Sequence, residues 1–147
     1  MLIAWISVIL GGLHFVDHVV RGSIVLEHSL DPRWNHSGWP FLPSVTPFTF
    51  SLFGVALLLI GGLIGTARGR FWALYWLIVF ILLAALVTFV HFLGPEPELP
   101  RVIYSTYAAA GAPAIGVLAL VDFFALVSVL IAGTINAVLV ARESSHW

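Results

Sequence analysis

The chain is 147 residues long, 61% hydrophobic and only 9% charged, with a formal net charge of -1 and no cysteine. A soluble domain carries about 25% charged residues, so this composition is that of an integral membrane protein, and so small a net charge excludes a nucleic-acid partner or a polybasic attachment to anionic lipid. Without thiols there are no disulfides, thiolate ligands, iron–sulfur clusters or cysteine nucleophiles, which leaves His and carboxylate side chains as the available metal ligands.

The first apolar run begins at Leu2, without the basic n-region or small-residue cleavage site of a removable signal, and predicts a transmembrane helix over 2–27. Within it, His14, Asp17, His18 and Arg21 recur at helical spacing. At about 100° per residue these four side chains share one face. Ionisable groups at membrane depth cost roughly 2.5 to 3.5 kcal/mol each and normally face a bundle interior, paired with one another. The face therefore predicts partners on other helices. An Asp17–Arg21 ion pair with two merely hydrogen-bonded histidines is the structural alternative to a ligand site. Gly11-Gly12 marks a place for a close helix contact or a local bend.

Residues 29–45 hold Trp34, Trp39, Pro32, Pro40 and Pro43 and read as a Trp/Pro-rich loop lying across the end of the bundle at the interface. Pro47 opens a second span over 47–65, with Gly61 and Gly65 as a small-residue contact face. The short turn 66–70 allows only an antiparallel hairpin into a third span over 71–92, which starts with Trp72, Tyr75 and Trp76 as an interfacial belt and ends near His91. An acidic, proline-rich loop, 93–101, leads into 102–110, a short interfacial helix or extended lid containing Tyr104 and Tyr107. The fourth span, 112–141, carries Asp122, and Ala125, Ala132, Gly133 and Asn136 continue a small, polar stripe from it.

These elements predict one domain, 1–147, an all-α integral membrane protein built as an antiparallel four-helix transmembrane bundle with a Trp/Pro-rich first extracytoplasmic loop. Arg68, Arg70 and Arg142 lie on the side of the termini, which places both termini in the cytoplasm and the chain in the plasma (inner) membrane. At about 1.5 Å per residue, His14, His18, His91 and Asp122 then fall in the outer half of the bilayer, with Thr49 and Ser51 at the same depth.

Four functional readings follow from that layer. One is a b-type haem, with His14 or His18 facing His91 as axial ligands and Arg21 near the propionates. Another is a divalent metal held by His14 and His18 with Asp17 or Asp122, for redox or acid–base chemistry in which Asp17 and Asp122 are the candidate catalytic groups. The His-x-x-Asp-His pattern lacks the Glu of the zinc-protease motif, so that mechanism does not carry over. The third is a four-helix membrane enzyme or binder of an apolar, lipid-like ligand, and the last is an accessory or scaffold subunit of a larger membrane complex, whose polar layer locks the helices together. Membrane lipids, other membrane subunits or a second copy of the chain are the expected partners.

Overall fold

The computed structural model describes residues 2–30, 47–68, 73–94 and 97–144. Five α-helices account for most of them: α1 (Leu2–Glu27), α2 (Pro47–Ala67), α3 (Ala73–Thr88, extended by a wider π turn at Phe89–Leu93), α4 (Pro100–Ala109) and α5 (Pro113–Ser144). Three helical stretches, Leu2–Glu27, Ala73–Leu93 and Pro113–Arg142, are long and apolar enough to cross a membrane, and Phe53–Ala67 is a shorter apolar one. The Trp/Pro-rich loop (31–46), Trp72, and the Thr49 and Ser51 side chains lie outside the described residues.

α1 packs on α2 and α5, and α3 packs on α2 and α5, so the four long helices close a ring, with α4 laid against α1 and α5. The distribution of polarity is the reverse of a soluble protein's. On α1 the buried residues are Ala4, Ser7, His14, Asp17, His18, Arg21, Gly22 and Val25, whereas Leu2, Trp5, Ile9, Leu13, Val16 and Val20 face outward. An outer surface of this kind suits hydrocarbon, while the ionisable groups are withdrawn inside.

Helix ends follow local chemistry. α1 stops where Ser29 adopts φ 51° and the Leu30 N–H donates to the Val25 carbonyl at 3.0 Å, satisfying an otherwise orphan acceptor. Pro100 supplies the first turn of α4. Between α4 and α5 the chain turns at Gly111, whose φ of 75° favours a residue without Cβ.

Several faces differ from the sequence expectation. On α5 the buried stripe is Ala119, Phe123, Leu126, Leu130, Gly133 and Ala137, while Ala132 and Asn136 are exposed. A helix apolar on every side has no periodicity to mark its inner face, and size complementarity decides instead: a Cβ on Gly133 would lie 2.8 Å from the Phe80 ring. On α2 the contact glycine is Gly62, against Tyr75 and Trp76, and nothing lies near Gly61. Trp76 is a core residue rather than part of a belt: it is 2% exposed, stacks on Phe80, and donates its indole N–H to Thr66 Oγ1 at 3.0 Å.

Candidate metal centre

Where α3 ends, one wide turn organises the site. The Gly94 N–H donates to the Phe89 carbonyl, five residues back, at 2.6 Å. In a regular α-helix that donor would take the Val90 carbonyl. The π turn frees it, and Val90 accepts instead from the Glu98 N–H at 3.0 Å. Glu98 is thereby held against the end of α3, and Val90, His91 and Glu98 are all buried.

His91 Nδ1 lies 2.8 Å from the Glu98 carbonyl oxygen. A carbonyl only accepts, so Nδ1 carries the proton and the Nε2 of the neutral ring presents its lone pair. That Nε2 is 3.3 Å from His14 Nε2, which is in turn 3.2 Å from His18 Nε2. One ring nitrogen from each of the three buried histidines lies within 4.8 Å of the others, close enough for all three to hold one metal ion.

A purely hydrogen-bonded arrangement accounts poorly for this meeting point. His14 Nε2 has one hydrogen or one lone pair to offer, and neighbours press on it from two sides. With His91 Nε2 already an acceptor, a proton on His14 Nε2 can serve His91 only by leaving or sharing His18. If His14 accepts from His18 instead, two lone pairs face each other across 3.3 Å. A cation accepts all three lone pairs at once. Ligand nitrogens at about 2.0–2.1 Å from a tetrahedral ion sit roughly 3.3 Å apart, which is the separation found on both sides of His14.

Carboxylates surround the cluster. Asp122 Oδ2 lies 3.7 Å from His14 Nδ1, behind the ring rather than on the Nε2 side, and neither Asp122 oxygen nor His14 Nδ1 makes a hydrogen bond. Glu98 Oε2 is 3.8 Å from His18 Nε2, and Glu98 Oε1 accepts from Arg21 Nη1. Arg21 Nε donates to Asp17 Oδ2 at 2.7 Å, Nη2 makes a 2.6 Å ion pair with the same oxygen, and the Tyr107 hydroxyl donates to Asp17 Oδ1 at 2.8 Å. Burial pushes the Glu98 carboxyl above its usual range, with the Arg21 guanidinium pulling against it. Burial and the adjacent Asp17 carboxylate likewise hold the Tyr107 phenol up, so it remains a proton donor.

The structure thus brings every sequence-nominated residue, His14, Asp17, His18, Arg21, His91 and Asp122, into one connected group from α1, α3 and α5. His91, at the end of α3, is 1% exposed. Glu98 and Tyr107 are the additional members. Comparison with protein-family models, curated proteins and solved structures finds no match to this chain, so the reading rests on the residues themselves.

Proposed function

We propose that the chain is a small integral membrane metalloprotein, an antiparallel four-helix bundle that holds one divalent cation on His14, His18 and His91. The observation that carries the reading is the convergence of three imidazole nitrogens within 4.8 Å of one another, two of the pairs at 3.2 and 3.3 Å, with His91 fixed in the metal-binding tautomer by the Glu98 carbonyl. Charge supports it. Three carboxyl groups, Asp17, Glu98 and Asp122, surround the cluster against one guanidinium, Arg21, a surplus of acidic groups that suits a cation.

In this arrangement Asp17 and Asp122 are supporting groups rather than ligands. Asp122 stands behind His14, its Oδ2 3.7 Å from Nδ1, on the side where carboxylates behind metal-bound imidazoles commonly lie, and Asp17 anchors Arg21 and Tyr107. Three protein ligands leave a fourth position for water or substrate, which is the pattern of catalytic rather than structural zinc sites. Glu98 Oε2, 3.8 Å from His18 Nε2, would be the nearby carboxylate able to accept a proton from a water held by such an ion. Direct contact among the three rings favours a bare ion over a haem, whose macrocycle has to lie between its axial histidines.

The test is metal analysis with an ultraviolet–visible spectrum, oxidised and reduced, on the same detergent-purified sample. One divalent metal per chain without a Soret band is the expected result. A Soret band that shifts on reduction would establish a cytochrome instead, and a folded protein that takes up neither would make the polar layer a structural lock.

A further inference from the structure

Directly beside the cluster lies a hollow between α1, α2, α3 and α5. Its walls are almost wholly hydrocarbon, from residues such as Ala56, Leu59, Leu83 and Leu130, together with Gly11 and Gly12. Ser7 also lines it, but its hydroxyl is already bonded to the Ile3 carbonyl at 2.9 Å. Among the described residues that line it, His14 is the ionisable one, so the hollow meets the metal cluster at the imidazole shared by both short Nε2 contacts.

The mouth is on the apolar outside. Gly12 is exposed, a Cβ there would meet nothing within 4 Å, and its neighbours Ile9 and Leu13 are 59% and 54% exposed. Such a rim opens to lipid, not to water. Resting on the metal reading above, we infer that the hollow is the substrate channel of the centre, taking a single-chain amphiphile dissolved in the membrane. The chain fills the space between α1 and α2, and a polar, metal-ligating end reaches the open position beside His14. A water-soluble substrate has no use for a hydrocarbon channel, and an acyl chain without a ligating end would leave the polar terminus of the hollow unserved.

The experiment uses the whole chain in detergent, loaded with Co²⁺ so that ligand-field absorption reports the coordination sphere. Decanohydroxamic acid, an alkyl chain with a metal-binding end, is titrated against acetohydroxamic acid, which has the same end and no chain. Gly12→Phe fills the mouth from α1, and Ala56→Phe fills the facing wall from α2 if the first variant does not fold. Both proteins are expected to bind Co²⁺ alike and to respond equally to acetohydroxamic acid. The decyl probe should bind the filled variant at least about tenfold more weakly than wild type, because an excluded chain forfeits its dispersion contacts with the wall. Equal binding of the decyl probe to wild type and variant overturns the channel, as does a Co²⁺ spectrum that neither probe perturbs. Failure of the metal reading looks different: no Co²⁺ spectrum forms at all, and the inference falls with it.

Discussion

Arg21 is the most demanding residue in the bundle, because it is fully buried and pairs with two carboxylates, Asp17 on its own helix and Glu98 from the segment before α4. Replacing it with methionine keeps the length of the side chain and removes the charge. Asp17 and Glu98, 8% and 0% exposed, then face each other's charge without a counter-ion. Removing one partner of a buried pair costs about 3–5 kcal/mol, since the remaining charge keeps its desolvation penalty. For a chain of this size each kcal/mol moves the midpoint by about 2–4 °C, so Arg21→Met should unfold roughly 6–20 °C lower in the same detergent. Adding Glu98→Gln restores the charge balance and should recover much of the loss, which a simple packing defect would not do. Thermal denaturation followed by circular dichroism reads both variants. A single variant within about 1 kcal/mol of wild type, the median worth of an exposed pair, would refute the claim that this ion pair is buried and coupled.

Other expectations follow from the same geometry. Asp122→Asn should keep the fold and weaken Zn²⁺ affinity by about 10–100-fold, the usual effect of altering the partner behind a ligating histidine, as measured by competition with a chromophoric chelator. Zn²⁺ affinity should fall as the sample is acidified, because protons compete with the metal for the imidazole nitrogens, as followed by the same competition assay. Gly133→Val drives a side chain into the Phe80 ring, 2.8 Å from the Cβ position, and should destabilise by about 1–3 kcal/mol, whereas Gly61→Ala, with nothing within 4 Å, should change little. Tyr107→Phe deletes a buried hydrogen bond to Asp17 and should cost about 1 kcal/mol, read by the same thermal assay.

Hydropathy made the long helices legible, because a run that must avoid water declares itself in composition. The polar face of α1 was equally plain: His14, Asp17, His18 and Arg21 stand out against Val16, Val19 and Val20 and share one helical side. That His91 and Asp122 belong with them followed from depth, counted at 1.5 Å per residue along α3 and α5. Glu98 was not legible. It sits between Pro97 and Pro100 in a run with Glu96, and charge beside prolines reads as a solvated loop. What turns it inward is the π turn at Phe89–Leu93, a backbone event with no residue signature, which frees the Val90 carbonyl to capture the Glu98 N–H. One signal did exist, since the Arg21 guanidinium carries five N–H donors, more than the Asp17 carboxylate one turn away can serve, so a further acceptor was required at that depth. The inner faces of α2 and α5 were hidden for a different reason. In helices apolar all round, the fit of Gly62 to Trp76 and of Gly133 to Phe80 selects the face, and such fits appear only once the helices are packed.

X-ray absorption spectroscopy of the Zn²⁺-loaded protein addresses the metal centre most directly. The account predicts a first shell of three nitrogens at about 2.0–2.1 Å with the outer-shell scattering of imidazole and one further light atom, reduced to two imidazoles in His91→Ala. A shell of oxygens alone, or an imidazole count unaffected by His91→Ala, would contradict it.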